Sequence, residues 1–321
     1  MKRYWHRTSI RFRIYFTIYR DSNSNEGVVF VNPYQYGWTI LEKTFCTVLY
    51  PNLTVIIYGI TTLFAVGMPR DSKMQKQLLE ESRKEHDLIQ QNFHDSYRNL
   101  TWKEMYDETC NVSMIIQALM WLRFIDEYCP NVQYIMKLDD DVVGNILEII
   151  HFLNEHVKAV SLLESQKQIF CRVIYHRPVS REKKNKWYIN IRISVSYVRK
   201  DELSSEYYSN YCVGMAIIFT GDLPNMLLRA ATKERYFWID DYFITGILAK
   251  KVEAHLVDLK RKVLVYTWEG SEEALVNGDI FFRLFSNMSH GLQLWRQIEN
   301  SYFIRFLNSS LQLMTPSHKR F

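Results

Sequence analysis

The sequence predicts an α/β fold in which a mainly parallel central sheet is flanked by helices. Three observations carry that expectation. Short apolar runs rich in β-branched and aromatic residues alternate with longer stretches of helical periodicity, the pattern of βα units. One of the short runs, residues 132–138, passes directly into three adjacent carboxylates, Asp139, Asp140 and Asp141. In sheets of this class ligands collect at the carboxyl ends of strands, so acids there have a place to act. Finally, 47% of the 321 residues are hydrophobic, with 8 Trp, 21 Tyr and 18 Phe, which is core material for one large domain or two smaller ones.

Taken in order, residues 1–20 are basic and aromatic, and residues 21–36, with Asn32 before Pro33, read as a loop. Residues 44–68 contain no charge. We read them as a buried strand pair, with a membrane span as the alternative, because Pro51, Asn52 and interior glycines interrupt the run. Within it residues 53–66 are β-rich, and Gly67 suits a tight strand exit. Residues 70–91 are highly charged, with Met74, Leu78, Leu79 and Ile89 near helical spacing, and read as an amphipathic surface helix. Residues 92–100 read as a polar loop. A helix over 102–128 is set by Met105, Met114, Ile115, Ala118, Leu119 and Leu122 and stopped by Cys129, Pro130 and Asn131. After the acidic strand end a helix spans 146–163 and a strand 169–174. A basic loop covers 176–186, a strand 187–198, a Tyr/Ser-rich loop 201–211 and a further strand 214–219. Asp222 then caps a helix. Asp240 and Asp241 form a second acidic point ahead of an apolar helix, 242–250, and residues 263–321 mix aromatic and polar side chains.

The charge balance is mild: 40 Lys and Arg against 35 acids, a net charge of +5 and a pI near 8.8. The excess gathers at the N-terminus (Lys2, Arg3, Arg7, Arg11, Arg13, Arg20) and in residues 181–186. No recognised nucleic-acid module surrounds either cluster, so nucleic acid is not an expected partner. An anionic sugar nucleotide or a membrane surface fits the same charges. Five cysteines (Cys46, Cys110, Cys129, Cys171, Cys212) include no C-x-x-C pair, which argues against zinc and leaves zero, one or two disulfides open. Five N-x-[ST] sequons, at Asn52, Asn99, Asn111, Asn287 and Asn308, favour a secretory route. Arginines interrupt the first apolar residues, so no ordinary signal peptide is evident.

Three adjacent carboxylates repel one another unless a cation is present. In an extended or turning backbone Asp139 and Asp141 point to the same side, and oxygen-only ligation suits Mn²⁺ or Mg²⁺ shared with a phosphate. The residues alone therefore suggest a metal site for a diphosphate-bearing substrate, the bland alternative being a solvated acidic turn or a helix cap. For Asp240 and Asp241 the bland alternative is likewise a helix-capping pair.

Four blocks in order then carry a resemblance. Phe64-Ala-Val-Gly67 is similar to an F-x-x-G strand. Glu81, Asp87 and Phe93, followed by the run from Asp95 to Lys103, resemble an E…D…F-x-D-S-Y-x-N-L-T-x-K block. Trp121, Cys129, Tyr134 and Lys137-Leu-Asp-Asp-Asp141 match W…C…Y-x-x-K-x-D-D-D. Tyr208-Ser-Asn-Tyr-Cys-Val-Gly214 and Asp240-Asp-Tyr-Phe-Ile-Thr-Gly246 look like Y-P-x-Y-C-x-G and E-D-V-x-x-T-G. Together they resemble the β-1,3-galactosyltransferase family, glycosyltransferase family 31, including its nematode-type branches. Arg7, Ile10 and Arg11 are similar to the entry motif R-x-x-I-R, with Ile14 where a Trp is usual.

The resemblance implies the nucleotide-sugar-binding fold called GT-A and transfer of galactose, or an N-acetylhexosamine, from a UDP-sugar to the 3-hydroxyl of an acceptor glycan, with inversion. It implies Mn²⁺, with Mg²⁺ as a substitute, held by Asp139 and Asp141 and completed by His290, which resembles the late His…Trp segment before Leu294-Trp295. His255 is the poorer candidate. Asp140 would face the ribose or the sugar and Arg7 and Arg11 the phosphates, and Lys137 counts with them among the cofactor-binding residues. Asp241 falls on the catalytic base with Asp240 beside it: a single displacement needs one carboxylate to take the acceptor's proton, and apolar neighbours raise its pKa. Trp187 and Tyr188 fall where an acceptor-facing loop is expected. Ser209, Asp240 and Tyr242 depart from the family's Pro, Glu and Val. The resemblance further implies a Golgi membrane protein with a lumenal catalytic domain at 59–321 after a basic segment, 1–58, of possible anchor or stem origin. The alternatives from other classes are a non-catalytic glycan-binding protein of the same fold and a metal-dependent phosphotransferase, the latter lacking a glycine-rich phosphate loop.

Overall fold

The computed structural model describes residues 14–19, 60–69, 71–85, 88–94, 108–159, 166–181 and 198–314. Seven strands form the main sheet: β1 (Ile14–Tyr19), β2 (Ile60–Met68), β3 (Leu88–His94), β4 (Tyr134–Leu138), β6 (Gln168–Ile174), β7 (Tyr211–Thr220) and β8 (His255–Asp258), in the order β3-β2-β1-β4-β7-β6-β8. A three-stranded sheet, β5-β10-β9, joins β5 (Val142–Gly144), β10 (Phe282–Leu284) and β9 (Val263–Leu264). The helices are α1 (Ser72–Glu85), α2 (Glu108–Tyr128), α3 (Ile146–Ala159), α4 (Leu223–Ala231), α6 (Ser271–Asn277) and α7 (Met288–Met314). Between α4 and α6 lies a continuous helical stretch, α5, with an α-turn at Asp240–Tyr242, a π-helical segment at Phe243–Leu248 and a last turn at Ala249–Lys251.

The class is α/β as expected, but the sheet is mixed rather than mainly parallel. Only β2–β3 and β6–β8 pair in parallel; β1–β2, β1–β4, β4–β7 and β6–β7 are antiparallel. The cause is local. β2, β3, β4, β6 and β8 all run one way, and β1 and β7 run the other way between them, which turns their neighbouring pairs antiparallel.

Period-two alternation sorts the core into two layers. Ile135, Ile169, Cys171, Ile217 and Phe219 face α2, α4 and α5, whereas Tyr134, Met136, Leu138, Phe170, Ala216 and Ile218 face α3, α7 and the small sheet. Phe170, Phe219 and Phe243 are completely enclosed, each worth roughly 1.5–3 kcal/mol relative to an exposed ring. At β4, β6 and β7 the sheet is thus covered on both faces, which leaves their strand ends for a ligand.

Several elements differ from the reading of the sequence. The charged helix ends at Glu85, and a strand takes Leu88–His94, part of it expected to be helix and part polar loop. Gln90 explains the strand: it is buried, donates to Gly67 O at 2.9 Å and bonds Gln75 at 2.7 Å, so a polar residue closes a strand interior. β1 comes from the segment expected to precede the domain and lies between β2 and β4, so the sheet crosses the boundary placed at 58/59. Of the uncharged run 44–68, the described part is strand β2, and among the described residues no helix is long and apolar enough to cross a membrane. Gly67 lies inside β2 at a register shift rather than at its exit. Asp222 sits at the start of α4 without capping it; its carboxylate accepts from Lys167 N at 2.9 Å instead. Residues 182–197, which include the strand and aromatic loop expected there, lie outside the described residues.

Candidate active site

Lys137 organises the site. It stands one residue from the end of β4 on the face of Ile135, nearly enclosed, where a cation without partners would be costly. Its Nζ donates to Asp139 Oδ1 at 2.6 Å and to Gly214 O at 2.5 Å. Burial alone would lower its pKa, yet the carboxylates of Asp139, Asp241 and Asp240 hold it above the ordinary lysine value. Asp139 opens the turn after β4: its N–H donates to Met215 O at 3.0 Å, and its carbonyl accepts from Val142 N at 3.2 Å. Asp141 ends the turn, its carbonyl accepting from Phe285 N at 2.9 Å. The three acids therefore occupy a tight turn between the large and small sheets, each still partly open to solvent.

β7 brings Gly214 to this point through an irregularity. Between the pairs Cys171↔Ile217 and Val173↔Cys212, one residue of β6 passes four of β7. Such bulges bend a strand and re-aim its backbone. A Cβ on Gly214 would lie inside the Asp241 carboxylate, so only glycine admits that acid here. The Gly214 backbone is also hydrogen-bonded to Asp241, which favours its ionised form. Burial and the neighbouring Asp240 outweigh this and raise Asp241 well above the usual carboxylate value, with Lys137 opposing. Asp240 is raised chiefly by burial, with Lys137 opposing and Asp139 adding. Three acids thus share one lysine.

Asp241 is held from behind as well. Buried Thr245, one turn on, donates Oγ1–H to Asp241 O at 2.5 Å and accepts from Cys212 N at 2.9 Å, tying α5 to β7. Cys212 is joined to Cys171 by a disulfide, and Cys129 is buried. Beside the acids stands an aromatic wall: Tyr242 packs edge-on against Tyr208, Tyr211 and Phe237 with ring centres 4.7, 5.3 and 5.3 Å away. Burial pushes the Tyr208 phenol up to about 12, so it stays protonated. Arg177 Nη1 reaches Tyr211 OH at 3.4 Å, and Ser209 Oγ bonds Tyr242 OH at 3.2 Å.

With this geometry in view, comparison with known proteins is decisive. The family model described as Galactosyltransferase matches residues 47–260. The chain belongs to the galactosyltransferase family. Among its relatives, human "Beta-1,3-galactosyltransferase 2" is 29% identical over 193 residues, 60% of this chain and 39% of that protein. Mouse "Beta-1,3-galactosyltransferase 1" is 24% identical over 196 residues, 61% and 51% of the two chains. The chain thus spans about half or less of the curated relatives it matches. They carry the family, not its nematode-type branch.

Measured against the family pattern, the structure brings together Asp139, Lys137, Asp240 and Asp241, which the sequence had named in two separate blocks. His290 is placed differently from a free ligand. Its Nε2 lies 2.8 Å from Glu272 Oε1, its Nδ1 accepts from Ser286 N at 3.3 Å, and Arg283 Nη1 lies 3.1 Å from the same Glu272 oxygen. Hydrogen bonding from Arg283, and His290 beyond it, keep the Glu272 carboxyl below its usual value. Among the described residues no group of three His, Cys, Asp or Glu side chains is gathered at metal-binding spacing. Ligation by His290 would therefore require one ring nitrogen to change partner. His255 begins β8, at the opposite end of the sheet from Asp139. Arg7, Arg11, residues 95–103, Trp187 and Tyr188 lie outside the described residues. Thr245 and Gly214 carry roles the sequence showed only as letters of a motif: Gly214 acts through its carbonyl and its missing side chain, and the Thr245 hydroxyl acts on main-chain atoms of distant residues.

Proposed function

We propose that the protein transfers galactose, or an N-acetylhexosamine, from a UDP-sugar to the 3-hydroxyl of a glycan acceptor with inversion, on a scaffold of the GT-A kind. The observation that carries this reading is Asp241: its carboxylate abuts Gly214 beside Lys137, near the carboxyl end of β4, and is raised well above its usual value, while Thr245 holds its main-chain carbonyl. In an inverting transfer the acceptor oxygen bonds to the anomeric carbon as the bond to the UDP β-phosphate oxygen breaks. The hydroxyl proton passes to Asp241, and UDP departs with the electron pair. A base of raised pKa suits that proton transfer. Asp240 and Lys137 fix the charge around it; Lys137, filled by Asp139 and Gly214, serves better as an internal counter-ion than as a phosphate ligand.

The donor set fits a hard divalent cation. Asp139 and Asp141 offer only oxygen, the acids outnumber their lysine, and Mg²⁺-like ions are commonly held by one or two carboxylates plus substrate phosphates. Mn²⁺ or Mg²⁺ so held would offset the charge of the departing diphosphate. Asp140, in the same turn, would face the ribose or sugar, and Arg7 and Arg11 the phosphates. A Golgi lumenal setting belongs to the same proposal, supported by the Cys171–Cys212 disulfide, which persists in oxidising compartments. The test is UDP release from a panel of UDP-sugars with Mn²⁺ and β-linked acceptors. Asp241→Asn should lower kcat by about 10²–10⁴ with UDP binding retained, and Asp141→Ala should lose metal-dependent UDP binding. Wild-type protein that binds UDP with Mn²⁺ yet never turns over would replace this reading with a glycan-binding one.

A further inference from the structure

We propose that Tyr175, His176 and Tyr207 form a stacking platform for the sugar that follows the reacting one in an extended glycan acceptor. The inference rests on the transferase reading and adds a subsite to it. Its location follows from topology. β4 and β6 run in the same direction, so the residues after Ile174 emerge at the sheet end that carries Asp139, and β7 enters from that end at Tyr211. Tyr175 and Tyr207 therefore stand on loops flanking the acid cluster.

These rings are exposed yet immobilised. Tyr175 is 56% and Tyr207 44% accessible. His176 and Tyr207 stack face to face, with centres 4.0 Å apart and planes 15° apart. The two loops are joined by their main chains: Val179 N donates to Glu206 O and Tyr208 N to Arg177 O, both at 2.9 Å, around a bridge between Pro178 and Tyr207. Arg181 fastens the second loop, donating to Val198, Leu203 and Ser205 carbonyls at 2.9, 2.6 and 2.7 Å. Tyr175 OH donates to Asp258 Oδ2 at 3.2 Å and leaves its ring face open.

The backbone adds a second, independent sign. His176 has φ +46°, a left-handed conformation that costs energy for a residue other than glycine and that collects at ligand-binding positions. Each exposed ring is also within two residues of the wall of the acid site. Tyr208 packs on Tyr242 beside Asp241, and Arg177 lies two residues past Tyr175 and bonds Tyr211. A sugar bound at Asp241 and this platform thus share one end of the sheet. Rigid tyrosine faces suit the apolar CH face of a pyranose, because little side-chain freedom is lost on contact. Single exposed tyrosines are ordinary; a stacked, strained and braced pair beside the acids is not.

The experiment compares methyl β-galactoside and methyl β-N-acetylglucosaminide with lactose, N-acetyllactosamine and chitobiose. Each is examined by saturation-transfer NMR without donor and by initial rates with it. Wild type should favour the matching disaccharide, and Tyr207→Ala and His176→Gly should each weaken it by about 3–10-fold. Monosaccharide binding, the donor KM and kcat should stay unchanged, and Tyr207→Phe should restore the disaccharide. Equal effects on mono- and disaccharides, or no effect, would overturn the platform while leaving the transferase reading intact. Tyr207-dependent binding without wild-type turnover would overturn the transferase reading alone, and disaccharides that neither bind nor react would sink both.

Discussion

At the scale of single residues, the site is a problem of charge density solved by one lysine and one missing side chain. Lys137 is enclosed with Asp139, Asp240 and Asp241 around it. Lys137→Met leaves those acids without a cation, and urea denaturation at neutral pH should show a loss of about 3 kcal/mol. That is the low end for breaking a buried pair, since Asp139 is partly open to water. The sign with pH follows from both sides of the pair. Lys137, raised, contributes fully below the ordinary lysine value and loses its effect only above its own shifted one. Asp240 and Asp241, raised, bind more protons folded than unfolded, so their ionisation erodes stability as pH rises through that window. The penalty of Lys137→Met should therefore shrink as pH falls through the raised values of Asp240 and Asp241, above the ordinary carboxylate range, and be smallest below about pH 4, where the acids are neutral in both states. Gly214→Ala probes the missing side chain. Its Cβ displaces the Asp241 carboxylate, and kcat should fall by about 10² or more for a displacement near 1 Å. Calorimetry should show UDP binding nearly intact; equal loss of both would mean that the variant disturbs the whole turn rather than the base.

At the scale of elements, the device that aims Asp241 is the meeting of a bulged strand with a π-helical segment. Both are irregular for the same reason: β7 must turn Gly214 toward Lys137, and α5 must bring Asp241 and Thr245 to one spot. Thr245→Val keeps the shape and removes the hydroxyl that serves Cys212 N and Asp241 O. It should cost about 1–3 kcal/mol in unfolding experiments, through a buried N–H left unmet, and lower kcat more than it raises either KM. These irregular parts were the least legible in the sequence. β4, β6 and β7 could be read directly, because apolar residues dominate their runs and the acids marked where β4 ends. β3 could not, since Gln90 satisfies itself through Gly67 and Gln75, contacts with no signature in the local pattern. β5 and β10, three residues each, are too short to show a period. Asp139 and Asp241 were legible as chemistry, but their convergence on one lysine depends on a crossover of about a hundred residues that spacing alone cannot reveal.

At the scale of the whole molecule, two layers of core clamp the sheet, and the Cys171–Cys212 disulfide ties β6 to β7 where the bulge weakens their ladder. Both sulfurs are fully enclosed. The double variant Cys171→Ala, Cys212→Ala should lose about 4 kcal/mol, the order expected for a loop closed over a sequence separation of 41. Reductant should destabilise wild type comparably and leave the variant unaffected. The parallel β-pairs and helical covering predicted from alternation are present, while the reversal of β1 and β7 was hidden because direction leaves no mark on hydrophobic pattern.

The position of β1 has a consequence for how the chain is made. Its two neighbours, β2 and β4, end at Met68 and Leu138, so the second hydrogen-bonding partner of Ile14–Tyr19 emerges from the ribosome more than a hundred residues later. Until then a strand destined for the middle of a sheet is an edge, offering unpaired main-chain groups to any other chain nearby. Contacts so distant in sequence also close slowly. Synthesis of this protein therefore contains a waiting period for its earliest strand, and yield in a cell should depend on the chaperones that cover that edge.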